Sequence, residues 1–323
     1  MAPKTIARVA ALALLALALL AGGCKEYRLN VALDADGGGT RRLELVWDTD
    51  LGPETDPSLE TIRALFALDE ADGWQVTTGD QAAVDQATGA KGKVTHFTRE
   101  RRLRRPSDWS GASGDVVIRG TLDPESPYAE VGLVNRVSVE VEAAEGGRYL
   151  TYTESFAWTG FQEAVVDHFT DRIGHALTSA YTDMDKWDRV RLWGLIEGHL
   201  ALWLHLQMRD DDLDDDVIAV PLASHALGIV RGSHPEADAE TLRAAIEGVM
   251  DQSGEEFEAW LAENVPGAFH AGMMGILLQV TLPGRIVDSN AETVEDGTAT
   301  WKAGFWDATT EPVVFTARAM VLD

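Results

Sequence analysis

Tyr27 to Trp47 reads YRLNVALDADGGGTRRLELVW. Tyr27, Leu29, Val31 and Leu33 share one side of an alternating pattern, and Leu43, Leu45 and Trp47 share one on the return. An apolar period of two is the signature of a strand with one buried face. Between the runs, Asp34-Ala35-Asp36-Gly37-Gly38-Gly39-Thr40 is rich in residues that tolerate positive φ, as a hairpin turn requires. Its Asp-x-Asp-Gly fragment matches half of a calcium loop, but the later ligands of that motif are missing, so it reads as a turn. The first folded unit is a β-hairpin.

Downstream the period changes twice. Asp56 is a good N-cap with Pro57 at the first helical position; Leu59, Ile62, Leu65, Phe66 and Leu68 form an apolar face, and Gly73 closes the helix before Trp74. Strand patterns resume over 93–103, 116–122, 133–141 and 148–158, the last two joined by Glu145-Gly146-Gly147. From 160 to 265 the period is helical: Phe161, Val165, Phe169, Ile173, Leu177 and Tyr181 recur every four residues. Residues 192–208 are apolar almost all round, which predicts a helix buried inside a bundle. Further helices are expected over 237–252 and 255–263, ending at Pro266-Gly267. Strand patterns then return over 276–282, 298–303 and 313–322, and these strands need the N-terminal ones as neighbours.

This order predicts an α+β fold: a mostly antiparallel sheet with one packed helix, interrupted by an inserted helical bundle. The expected division is a leader over 1–23, a discontinuous α+β domain over 24–159 and 266–323, and a helical insertion over 160–265.

The leader reads as a signal. Lys4 and Arg8 precede an unbroken run of Val, Ala and Leu from Val9 to Leu20, and Ala21-Gly22-Gly23 supplies small residues for cleavage. Twelve apolar residues make a helix of roughly 18 Å, short of the ~30 Å of hydrocarbon a spanning helix must cross. Leu20-Ala21-Gly22-Gly23-Cys24 resembles the lipobox of bacterial lipoproteins. The resemblance implies that Cys24 takes a diacylglycerol on sulfur, becomes the new N-terminus and is acylated there, so that the expected partner is a membrane reached through the lipid on Cys24. Two or more acyl chains, at ~0.8 kcal/mol per buried CH₂, give stable anchoring. Lys25 stands where an inner-membrane retention signal has Asp, which favours the outer membrane of the cell envelope.

Composition narrows the function. Of 323 residues 45% are hydrophobic and 25% charged, which places the chain among folded globular proteins. Twenty-seven basic against 53 acidic residues give a formal charge of −26, which argues against a nucleic-acid partner, since phosphate binding needs clustered positive charge. Such an acidic body is also expected to stand off an anionic bilayer. A single cysteine excludes disulfide scaffolds, CxxC redox centres and thiolate zinc sites.

The lipobox, the hairpin with Asp34-Ala35-Asp36-Gly37 in its turn, and the helix ending near Gly73-Trp74 together resemble the LppM-type domain of bacterial lipoproteins. The closing stretch adds Leu282-Pro283-Gly284, Ser289-Asn290-Ala291, Asp296-Gly297 and Trp301 in a strand. The resemblance covers roughly 25–110 and 275–323 and implies a small envelope domain with an apolar groove for lipid or glycolipid; the stretch 160–265 departs from it.

Several clusters are candidates for chemistry. His168, Asp171 and His175 fall within roughly 60° on a helix, so three ligand heads converge there; the same spacing also arises on the polar side of an amphipathic helix. His199 and His205 lie in the apolar helix with Glu197, and Asp210 to Asp216 packs six carboxylates into seven residues, an expected solvated loop. Arg99, Arg101, Arg102, Arg104 and Arg105 are the basic cluster of an acidic chain, a membrane-surface contact or a set of internal ion pairs. No dinucleotide, P-loop or nucleophile-elbow motif is present, and Gly111-Ala112-Ser113-Gly114 does not fit the last. The expectation is a lipid-anchored envelope lipoprotein that binds a lipid or an envelope protein, with no cofactor and no catalytic residue. The competing reading is a metal-dependent hydrolase built on His168, Asp171 and His175.

Overall fold

The computed structural model describes residues 25–48, 57–70, 73–84, 91–111, 116–207, 216–251, 253–272, 274–309 and 311–322. Cys24, the leader, Asp56 and the run 210–215 lie outside them, as do residues 112–114. The chain divides into two units, one of strands and short helices (25–159 and 264–322) and one of helices (160–263).

In the strand-rich unit the hairpin is β1 (Glu26–Leu33) and β2 (Gly39–Asp48), paired antiparallel with Leu29 opposite Leu43 and Leu33 opposite Gly39. Asp34 and Gly37, the latter at φ +81°, close the turn through Gly37 N–H to Asp34 C=O at 3.0 Å. A Cβ on Gly37 would crowd Pro106 and Val141, and its carbonyl accepts from Trp109 Nε1 at 3.0 Å, so the turn is locked into the core. Helix α1 (Leu59–Leu65) is capped by Ser58, whose Oγ accepts from Thr61 N–H at 3.1 Å. Ser58 takes the N-cap role expected of Asp56, and Pro57 therefore precedes the cap instead of opening the helix.

Then come β3 (Gln75–Val84), β4 (Lys91–Leu103), α2 (Pro106–Gly111), β5 (Val116–Arg119), β6 (Gly132–Ala144) and β7 (Gly147–Thr159). After the helical unit the chain adds α8 (Pro266–Ala271), β8 (Gly275–Thr281), β9 (Arg285–Ser289), β10 (Thr293–Glu295), β11 (Thr298–Gly304), a 3₁₀ turn (Phe305–Ala308) and β12 (Val313–Leu322). Pro266 opens α8, where a missing N–H costs nothing, instead of ending the preceding helix.

The strands form two mostly antiparallel sheets, in keeping with the α+β class expected: β10-β11-β8-β1-β2-β4-β3 and β5-β6-β7-β12-β9. Pairing is antiparallel except between β1 and β8, the returning strand that docks on the N-terminal one. Leu29, Leu45, Phe97 and Leu278 of the first sheet and Leu133, Leu150, Tyr152 and Phe156 of the second are all fully buried in one shared core. Fully burying such side chains contributes roughly 1.5–3 kcal/mol each, which makes this core the main support of the unit.

The helical unit comprises α3 (Phe161–Ala180), α4 (Lys186–Gln207), α5 (Asp216–Val230), α6 (Ala239–Asp251) and α7 (Ser253–Asn264). Helix α3 buries the expected Phe161, Val165, Phe169, Ile173 and Leu177. Gly174 lets α3 and α4 approach, since a Cβ there would overlap the Trp193 ring. Helix α4 corrects the expectation of burial all round. It buries Leu192, Ile196 and Leu200, one side only, and leaves Leu202 at 58% and Leu206 at 38% exposed.

Candidate functional site

Strand parity places charge inside the strand-rich unit. Arg41 of β2 stands on the inward side with Leu43, Leu45 and Trp47, and Glu154 of β7 holds the same place between Tyr152 and Phe156. Arg41 is 4% exposed and Glu154 not at all. Their side chains form an ion pair. Arg41 Nη2 also donates to Asn135 Oδ1 at 2.9 Å, Asn135 Nδ2 donates to Glu154 Oε1 at 2.7 Å, and the Tyr152 hydroxyl donates to the other carboxylate oxygen. Burial, the largest single influence, would lower the Arg41 pKa; the charge and hydrogen bond of Glu154, with Tyr152 and Tyr27, together outweigh it and hold the guanidinium above its ordinary value. Burial and then Glu154 push the Tyr152 phenol well above its usual range. Arg41 is thus charged and already neutralised.

A second inward arginine has no such partner. Arg99 of β4 lies directly across from Leu43, is 7% exposed, and has no acceptor for its Nε among the described residues. Its guanidinium carbon sits 5.9 Å from the centroid of the Trp74 ring, a cation–π contact. Trp74 follows Gly73 at φ +88°, and its own Nε1 is buried without an acceptor among the described residues. The end of α1 contributes Phe66 and Ala67, the latter held at φ +49°, and β5 contributes Val117 and the exposed Arg119.

With Tyr27, Arg41, Leu43 and Asn135, these residues line a cleft of about 210 Å³. That is the space of about seven water molecules at ~30 Å³ each. Three guanidinium groups, an amide and an indole N–H share the lining with aromatic and aliphatic surface. Such a cleft can take a polar head and a few attached carbons; it is too small to enclose a two-chain lipid.

The five clustered arginines occupy different places. Arg99 and Arg101 share the inward parity of β4, whereas Arg102 faces outward, paired with Asp34 and donating to Thr40 Oγ1 at 3.2 Å. Arg104 and Arg105 lie where the chain enters α2; both backbone N–H groups donate to Asp108, and the Arg105 side chain pairs with it at 3.1 Å. Only Arg99 lines the cleft.

The helix α3 does not gather His168, Asp171 and His175 around a point. His168 stacks on Trp260 with ring centroids 4.3 Å apart, and burial, then Arg172, lowers its pKa to about 4. Asp171 accepts from Trp193 Nε1 at 3.2 Å, and His175 meets the edge of the same indole. Among the described residues no three His, Cys, Asp or Glu side chains group as a metal site. His199 pairs with His225 at 2.9 Å, and burial followed by His225 lowers its pKa; His205 is exposed.

Arg41, Glu154 and Arg119 were not singled out from the sequence, and Trp74 only as the residue after the helix-closing Gly73, although Arg41 and Glu154 carry a legible signal. Arg41 and Glu154 each break an apolar alternation at an inward position, which on a half-buried strand marks a charge inside the core.

Among the described residues no helix is long and apolar enough to cross a membrane. No protein-family model matches the chain, and no curated protein does. Among solved structures, the NMR structure of the folded domain of LppM from Mycobacterium tuberculosis is similar over 93% of this chain and 94% of that one, at 9% identity and a TM-score of 0.26. At that score the likeness assigns neither fold nor function.

Proposed function

We propose that this chain is a lipid-tethered binding module of the bacterial cell envelope, anchored through Cys24, whose cleft takes the head of a membrane amphiphile. The observation that carries this reading is the cleft itself, with polar donors beside aromatic surface and a volume suited to a head group.

The start of the described chain supports a close approach to the bilayer. Lys25, the residue after Cys24, is 5% exposed and its Nζ lies 4.1 Å from the centroid of the Trp47 ring. A buried Lys25 leaves no linker between the folded unit and an acylated Cys24. Tyr27 lines the cleft three residues beyond Cys24, which is about 10 Å of extended chain at ~3.3 Å per residue. A short tether therefore holds the cleft near the head-group layer in spite of the acidic body. Lys25 in place of Asp favours the outer membrane as the destination.

Native mass spectrometry of the full-length protein, extracted from bacterial membranes in a neutral detergent, tests the reading. The expected result is a retained amphiphile that is lost from Val117→Trp, a substitution that fills the cleft. A wild-type protein that carries nothing, or a Val117→Trp protein that keeps the same adduct, overturns it.

A further inference from the structure

We propose that the cleft selects a ligand bearing an anionic group, a phosphate or a carboxylate, clamped between the guanidinium groups of Arg99 and Arg119; this rests on the reading that an amphiphile head enters there. The argument is one of charge accounting in a chain of net charge −26. With so many carboxylates available, each buried arginine has every opportunity to be matched. Arg41 is matched, by Glu154 with Asn135 in support. Arg99 and Arg119 line the same cleft and have no ion pair among the described residues. Arg99 is more than nine-tenths buried, and its Nε and the neighbouring Trp74 Nε1 both lack acceptors among the described residues. A buried guanidinium without a counter-ion is unfavourable, because its desolvation is offset only by the contact with the Trp74 ring. Two donors left open beside a cavity form a site waiting for oxygen acceptors, and forked guanidinium donors match carboxylate and phosphate oxygens best. Aromatic surface from Tyr27, Phe66 and Trp74 then holds the carbons next to the anion.

Isothermal titration of the full-length chain with octyl phosphate, octanoate, uncharged 1-octanoylglycerol and inorganic phosphate, all below their micelle thresholds, tests the proposal. Both anionic amphiphiles are expected to bind at least tenfold more tightly than 1-octanoylglycerol, and the stronger of the two identifies the head. Arg119→Gln, at an exposed position where folding is not at stake, is expected to weaken the anions about tenfold more than it weakens 1-octanoylglycerol, the range of one charge-assisted hydrogen bond. Arg99→Met is expected to raise the Tm of the unliganded protein, by removing an unmatched charge, and to abolish the Tm increase that octyl phosphate gives the wild type. Equal binding of charged and uncharged amphiphiles overturns the anion clamp and leaves the amphiphile reading standing. Unchanged anion preference in both variants overturns the assignment of Arg99 and Arg119. Inorganic phosphate binding as tightly as octyl phosphate keeps the clamp and overturns the amphiphile reading, and no binding by any probe overturns both.

Discussion

Replacing Arg41 with Met tests whether the core of the strand-rich unit is organised around its buried ion pair. The substitution keeps the apolar stem and removes the guanidinium, leaving the Glu154 carboxylate fully buried with Tyr152 and Asn135 as its remaining donors. Breaking a buried pair by deleting one partner costs about 3–5 kcal/mol, out of a total stability of about 5–15 kcal/mol for a domain. At a urea dependence of about 2 kcal/mol per molar, the midpoint should fall by about 2 M. The double variant Arg41→Met/Glu154→Gln removes both charges while the Gln oxygen still accepts from Asn135 and its amide N–H donates to the Tyr152 hydroxyl, so it should recover to within about 1–2 kcal/mol of wild type. Urea unfolding followed by tryptophan fluorescence reads both numbers. If Arg41→Met costs less than about 1 kcal/mol, or if the double variant is no more stable than Arg41→Met, the pair does not organise the core in the way described.

Three further outcomes follow from single contacts. His270 is buried beside Trp47, and burial, then the Lys25 charge, lowers its pKa to about 4. The unfolded chain therefore binds a proton between about pH 6.5 and 4 that the folded unit refuses, so stability is full above this window and falls as the pH drops through it. The loss should approach about 3 kcal/mol at pH 4 and should be absent from His270→Phe, as read from urea midpoints across pH. Ala67 lines the cleft in a left-handed conformation at φ +49° just after α1; Ala67→Gly should stabilise the unit by about 0.5–1 kcal/mol in the same assay, and a destabilised variant would show that the position is unstrained. Gly174→Ala improves helix propensity by about 1 kcal/mol yet forces a methyl into the Trp193 ring, so the helical unit should lose about 1–3 kcal/mol on thermal unfolding.

Where a single period governs a segment, sequence and structure agree. The alternation of Tyr27, Leu29, Val31 and Leu33 is an uninterrupted strand with all four side chains buried, and the range expected for the last strand, 313–322, is β12 itself. The four-residue recurrence in α3 is likewise direct, because one face of that helix meets one neighbour surface. Elements without a clean period were missed. Helix α5, DVIAVPLASHALGIV, carries Pro221 in its interior and shows no polar side, so neither a helix nor a strand pattern emerges. Strands β3, β9 and β10 are polar and lie at or near sheet edges, where burial imposes no alternation.

The division into two sheets was not legible either. β12 pairs with β7 and β9 while β8 pairs with β1 and β11, and nothing local to Val313–Leu322 states which earlier strand it will join. Helix α4 misled for a physical reason. Apolar residues on every side predict full burial only if neighbours surround the helix, and here Leu202 and Leu206 remain exposed. The cleft was half legible. Arg99 was singled out as one of a basic run, but its partners Arg119 and Trp74 come from separate strands and loops, and their meeting is a product of the sheet order.

The tether on Cys24 brings the cleft to a membrane, and it is tested most directly by growing bacteria that express the full-length chain with a clickable palmitate analogue. Wild-type protein should carry the label and fractionate with envelopes, and Cys24→Ser should lose both. A wild-type protein that stays unlabelled, or a Cys24→Ser protein that still fractionates with envelopes, would contradict the anchor and the approach of the cleft to head groups with it.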